Sequence, residues 1–188
     1  MATQDATELV VAGFGNVWVG PYGTALPTTP TANPAGFNKV GLISEDGVDW
    51  SEEKTVQDFM AWQSRYPVRR SLTDVKLKIT CALQQWNEDN LIAALGGGSV
   101  SSPSAGVYKY VPIADTEQLD DVSVVVDWND GSENHRLVLP KANATEGVSI
   151  KLQRTELAVI PVAFEALGVS GSDLYNYYTD STAFSLAS

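Results

Sequence analysis

The chain has little of the chemistry that most enzymes and metalloproteins use. Its 188 residues include one cysteine and one histidine. A lone cysteine, Cys81, excludes an internal disulfide, and a lone histidine, His135, leaves too few ligands for a zinc cluster. The sequence therefore predicts no metal and no cofactor. We expect Cys81 to lie in the core and His135 on a surface strand or turn.

Positive charge is also scarce. Lysine and arginine number 12 against 23 acidic residues, which gives a formal net charge of -11. Affinity for DNA comes largely from lysine and arginine that displace counterions. The composition therefore excludes tight DNA binding but allows a wall that DNA slides past. No hydrophobic run is long enough to cross a bilayer and no signal-peptide pattern begins the chain, which predicts no membrane contact and synthesis in a cytoplasm.

The composition is typical of one folded domain over residues 1–188, because 44% of the residues are hydrophobic and 19% are charged. Residues 1–36 are predicted to form an N-terminal strand and an extended, proline-rich arm. Residues 37–168 are predicted to form the core and residues 169–188 a tail that ends the fold. An acidic stretch at residues 44–53 contains glycine and serine, and it is interpreted as a mobile loop.

Two hairpins and one helix are predicted within the core. The first hairpin spans residues 52–84, and its second strand alternates apolar and polar side chains from Val75 to Leu83. The second hairpin turns at Asp130 and Gly131. A helix over about residues 87–95 follows from an Asn87 cap and three glycines after it, with Leu91, Ile92 and Leu95 packed on a sheet.

Residues 148–152 and 156–166 are predicted to add further strands, and Pro161 indicates an edge or a bulge. Seven or so strands with a lone helix predict a mainly β fold, a β-sandwich or partial barrel with one flanking α-helix. No calcium loop fits the acidic turn after Asp127, because its register is wrong. No nucleophile, base and orienting group occur together, so the sequence predicts no enzyme.

The segments 40–48, 61–63 and 68–70 contain Val40, Ser44, Asp46, Trp62 and Arg69 in a distinctive order. They resemble the major tail tube proteins of long-tailed phages of actinobacteria. The resemblance implies hexameric rings that stack into a hollow tube around a tape measure protein, with hairpins from each subunit joined into an inner β-barrel. It further implies tail terminator and tail tip proteins as partners, transient passage of DNA, assembly in the host cytoplasm and a final place in the virion tail.

Three sets of residues receive roles from that resemblance. The acidic loop is predicted to contact the next ring through Glu45, Asp46, Asp49, Trp50, Glu52 and Glu53. The face that lines the lumen is predicted to contain Asp58, Asp74, Lys76, Lys78 and Thr80. Salt bridges with the acidic loop of a neighbouring subunit are predicted for Arg65, Arg69 and Arg70.

Two other functions are open from the residues alone. Surface tryptophans would suit a monomeric carbohydrate-binding or adhesin-like β-sandwich, and the acidic residues near Trp50 would suit a hydrolase only weakly. Self-association separates the tail tube interpretation from both.

Overall fold

The computed structural model describes residues 9–114 and 118–184. Over these residues the chain forms ten β-strands, one α-helix and one short 3-10 helix. The strands are β1 (Gly15–Pro21), β2 (Asn38–Lys39), β3 (Ile43–Phe59), β4 (Arg69–Leu83), β5 (Ser99–Ser104), β6 (Val107–Val111), β7 (Val122–Asp130), β8 (Glu133–Ala144), β9 (Ile160–Ala166) and β10 (Asn176–Thr179). The α-helix is α1 (Glu88–Ala94), and the 3-10 helix is Thr182–Phe184.

Eight of these strands make one antiparallel sheet in the order β2-β1-β7-β8-β9-β4-β3, with β10 also paired to β8. The sheet divides at β8, whose first part pairs with β10 and whose last part pairs with β9. The two halves face each other, since Trp50 of β3 stacks on Tyr177 of β10 with ring centroids 6.4 Å apart. The predicted mainly β fold with one flanking helix is confirmed.

The core lies between those halves. Leu77, Ile79 and Leu83 are fully buried on one face of β4, as their alternation predicts. In the central hairpin β7–β8 both faces are covered, because Val124 joins the main core and Val125 packs in a second cluster with Phe37. Cys81 is a core residue, as predicted, and burial raises the pKa of its thiol to about 12.

A buried ion pair holds the proline-rich arm on the sheet. The Arg136 guanidinium donates from Nε and Nη2 to the two Asp127 carboxylate oxygens at 2.6 and 2.8 Å, and from Nη1 to the Thr29 carbonyl at 2.6 Å. The Trp18 indole also donates to Asp127, at 3.0 Å. Between β1 and β2 the arm has no helix or strand, but it is attached to the body because Leu26 packs on the second cluster.

Helix α1 begins where the sequence predicts. The Asn87 side chain accepts a hydrogen bond from the Asn90 amide at 2.8 Å. The predicted apolar stripe is partly wrong, because the side chains buried against the body are Asn90 and Ala94 while Leu95 is the exposed cap. Asn90 is buried because its amide donates to the Val40 and Gln85 carbonyls, each at 2.8 Å.

The C-terminal region differs most from the sequence-based expectation. The described part of the predicted tail, residues 169–184, does not simply end the fold, since β10 pairs with β8 and covers His135. His135 is therefore buried, which corrects its predicted surface position, and its ring stacks on Trp128 at 5.4 Å. The predicted strand at residues 148–152 is absent, and the β5–β6 hairpin was not predicted. No helix of the described residues is long and apolar enough to span a membrane.

Candidate interaction surface

Part of the β3–β4 hairpin projects beyond the sheet. Strand β3 is the last strand of the sheet, and β9 pairs with β4 only from Lys78 to Leu83. Residues 52–59 of β3 and 69–77 of β4 therefore form a two-stranded ribbon whose outer edges pair with no other strand of the described residues. Such edges carry free backbone donors and acceptors, and isolated two-stranded ribbons are marginally stable. The ribbon is thus suited to pairing with another chain.

One face of this hairpin is polar. The register pairs Asp49 with Thr80, Ser51 with Lys78, Glu53 with Lys76 and Thr55 with Asp74. Directly paired residues share a face, so these eight residues form one surface, which we call the polar face. It contains three carboxylates and two ammonium groups. The predicted set Asp74, Lys76, Lys78 and Thr80 lies together on it.

Lys78 has a partner from outside the hairpin. Its ammonium group lies 2.5 Å from the Glu146 carboxylate, and this hydrogen bond raises the pKa of Lys78. One of the two positive charges on the polar face is therefore offset within the subunit, which leaves the face acidic on balance.

Asp58 lies on the opposite face, which corrects the prediction that it shares one face with the four polar residues of β4. A bulge in β4 leaves Thr73 without a paired residue in β3, while β3 continues its regular alternation from Trp50 to Asp58. Asp58 accepts two hydrogen bonds from Arg70, at 2.6 and 3.0 Å, and these lower the pKa of its carboxyl. Arg70 is thus paired inside its own subunit instead of being free for a neighbour's acid.

The acidic segment 44–53 is part of strand β3, so its prediction as a mobile loop is wrong. Its backbone pairs with β4 along one side from Val48 onward, and between Ile43 and Val48 the pairing is irregular where Gly47 has a φ of 75°. Trp50 packs edge-on against Tyr175 with ring centroids 5.5 Å apart, which leaves it 40% exposed. It is therefore already held by its own chain.

Of the other acidic residues of the segment, one forms an ion pair within the chain and two are exposed at the irregularity of β3. Glu52 pairs with Lys54 at 2.7 Å and accepts a hydrogen bond from the Tyr175 hydroxyl at 3.2 Å. The hydrogen bond from Lys54 is the main reason that the pKa of Glu52 is lowered. Glu45 and Asp46 are exposed at the irregularity of β3.

The loop that joins β3 and β4, residues 60–68, is the tip of the ribbon. It exposes large apolar side chains, with Trp62 at 99%, Tyr66 at 80% and Met60 at 60%. Its backbone is ordered by local hydrogen bonds, including one from the Ser64 amide to the Ala61 carbonyl at 3.1 Å. A fully exposed tryptophan on an ordered loop indicates a contact site.

The tip is also the basic part of an acidic chain. Residues 59–73 contain three arginines and no aspartate or glutamate. Arg65 and Arg69 form no ion pair with any residue that the structure describes. Sequence reasoning named the arginines but missed Trp62 and Tyr66 as a site, although the absence of acidic residues over fifteen positions was a usable signal.

These features define a subunit of a larger assembly, with a long open sheet edge and an exposed apolar tip, and no metal cluster among the described residues. A sequence model of the phage tail tube proteins matches residues 1–187, so the chain belongs to the phage tail tube protein family. No curated protein matches it. Its role is that of a structural protein of the virion tail, which assembles with copies of itself into a tube.

Proposed function

We propose that this chain is the major tail tube subunit of a long-tailed phage of actinobacteria and acts without enzymatic activity. Copies assemble as hexameric rings, and the rings stack into the conduit through which DNA is delivered. The observation that carries the proposal is the ribbon of β3 and β4, whose open edges would be removed by closure of ribbons from several copies into one barrel.

The polar face of the hairpin is the proposed lining of the lumen. The β7–β8 hairpin has both faces covered in its centre, so its central residues are not available for this purpose. On the polar face, Asp49, Glu53 and Asp74 outnumber Lys76 and Lys78 by one charge in each subunit. A mildly acidic wall repels phosphates and lets DNA pass without adhering.

The same proposal includes contacts between stacked rings and contacts with other tail proteins. The exposed acids Glu45 and Asp46, at the irregularity of β3, are the part of the acidic segment left to contact a neighbouring ring. A tape measure protein occupies the lumen during assembly in the host cytoplasm, and tail terminator and tail tip proteins close the two ends of the tube.

The test is electron microscopy of the purified chain together with a variant that lacks most of the ribbon. Lys54 is paired with Val75, so an Asn-Gly turn that joins these two residues removes residues 55–74 without cutting the sheet. We expect tubes with a central channel from the wild type and a folded monomer from the variant. Circular dichroism and thermal unfolding serve as the folding control. A wild-type chain that stays monomeric at every concentration would refute the proposal.

A further inference from the structure

A groove lies between α1 and the β1–β2 edge of the sheet. Its volume is about 370 Å³. Its wall is apolar where Val19 and Pro21 of β1, Val40 after β2, and Ile92 and Ala93 of α1 line it. A half-open apolar groove of this size can take an aromatic side chain.

The rim of this groove is acidic. Asp89, Asp120 and Asp121 lie on it, and Lys39 is the one cationic residue among the described residues that line the groove. Asp121 pairs with Lys141 at 2.8 Å, whereas Asp89 and Asp120 form no ion pair with the residues described. The groove thus combines apolar walls with two carboxylates that lack a cationic partner.

The tip of the ribbon has the complementary combination. Trp62 is almost completely exposed, so it does not occupy the groove of its own chain. Arg65 in the same loop and Arg69 at the start of β4 have no carboxylate partner in the described part of the chain. Buried aromatic anchors with arginines beside them are the residues that dominate the energy of protein interfaces.

We propose that the tip of one copy docks in the groove of a second copy, with Trp62 between α1 and the β1–β2 edge and with Arg65 and Arg69 facing Asp89 and Asp120. This inference rests on the proposed function, because it names the contact between copies that the tube requires. Tip and groove are different surfaces of the chain, so the contact is heterologous. Repetition of a heterologous contact builds a ring or a filament and not a closed pair.

Charge exchange between two variants tests the contact. The first variant, Arg65→Glu with Arg69→Glu, has an acidic tip and an acidic groove. The second, Asp89→Arg with Asp120→Arg, has a basic tip and a basic groove. We expect each alone to raise the critical concentration for assembly at least about tenfold, because like charges meet at every contact. An equimolar mixture should assemble as the wild type does, since every tip then finds a groove of opposite sign.

The matched control is Lys109→Glu with Arg154→Glu, which changes the net charge as much as the tip variant but at exposed positions outside both surfaces. This control is expected to assemble normally. Variants that each assemble like the wild type, or a mixture that fails while the control succeeds, would overturn the contact and leave the tube function standing. A wild-type chain without tubes would instead overturn the proposed function first.

A disulfide gives a second, independent readout. Because Cys81 is buried, it should not form a disulfide with an added cysteine, so any cross-link would come from the two introduced residues. Gln63→Cys lies beside Trp62, and Asn38→Cys lies on the wall of the groove. Oxidised tubes of the double variant should yield a covalent ladder on a non-reducing gel, whereas Gln63→Cys with Leu152→Cys should not. Normal tubes without a ladder in the first pair would contradict the docking.

Discussion

The buried pair of Arg136 and Asp127 makes a quantitative prediction about the stability of the subunit. Asp127→Asn keeps the shape of the side chain and one acceptor oxygen, but it removes the negative charge. Arg136 is 1% exposed, so its positive charge would remain buried with only neutral acceptors, among them the Thr29 carbonyl. Breaking such a pair costs about 3–5 kcal/mol in general.

The magnitude for this site is somewhat smaller. The Asp127 side chain is 17% exposed, and the substituted amide oxygen still accepts one hydrogen bond worth about 1 kcal/mol. We therefore expect the free energy of unfolding to fall by about 2–4 kcal/mol, which for a chain of this length lowers Tm by roughly 5–15 °C. The arm that contains Thr29 should also become more sensitive to proteolysis.

The assay is urea and thermal unfolding of the monomer, held below the concentration at which it assembles, because self-association would add its own stabilisation. The matched control is Asp58→Asn, which breaks the exposed pair with Arg70 and should change Tm very little. The reasoning is refuted if both substitutions have the same small effect, since burial would then add nothing to the cost of removing one partner.

Three further predictions concern single side chains. Because burial raises the pKa of Cys81 to about 12, about one thiol in ten thousand is ionised at pH 8, so iodoacetamide should label the native chain very slowly and the unfolded chain at once. Asn90→Ala leaves two carbonyls without their donor and should cost about 1–3 kcal/mol in chemical unfolding, against little change for Asn176→Ala on the partly exposed β10. Hydrogen bonds from the Asn134 backbone and side chain lower the pKa of Asp180 in the folded chain. Ionised Asp180 therefore stabilises the fold fully above its unfolded-state pKa, and this stabilisation is lost as pH falls through its folded-state pKa. Asp180→Asn should therefore make Tm less sensitive to acid below about pH 4. The corresponding change in the free energy of unfolding should be less than about 1 kcal/mol because the carboxyl group is exposed. A pH profile of Tm identical to that of the wild type would contradict this.

The elements that could be predicted from the sequence are those with a local cause. The alternation in β4 follows from one face packing in the core, and α1 follows from its Asn87 cap and the glycines after it. The β7–β8 turn is at Gly131, as its two-residue loop requires. In each case the residues that determine the structure are neighbours in the chain.

The parts that could not be predicted depend on distant partners. The acidic segment is a strand because its backbone pairs with β4 along one side. Its carboxylates remain largely in solvent because it is an edge strand. Strand β10 has four residues and no distinctive pattern, so neither its pairing with β8 nor the burial of His135 could be foreseen. Asp58 was assigned to the wrong face because the register between the two strands cannot be read from either strand alone.

The candidate interaction surface, which comprises the polar face and the tip of the ribbon, was also predicted only in part. The polar positions of β4 were found because strand alternation alone places them together. The tip was only half found, since its arginines stand out in an acidic chain whereas the exposure of Trp62 depends on how far the ribbon extends from the sheet.

The unequal edges of the sheet have a consequence for errors during assembly. One edge, β3, is 17 residues long, whereas the opposite edge, β2, has two. The first residues of β9 have no β8 partner, and Pro161 among them has no backbone N–H that could pair with another strand. The long open edges of the described sheet are therefore the two sides of the ribbon, β3 and residues 69–77 of β4. Each carries an irregularity, beside Gly47 in β3 and at Thr73 in β4, that distinguishes one alignment from the others. If copies join along these edges as proposed, the shape of each subunit would favour one register of pairing before any partner arrives, and a mispaired joint that blocks the channel would be disfavoured.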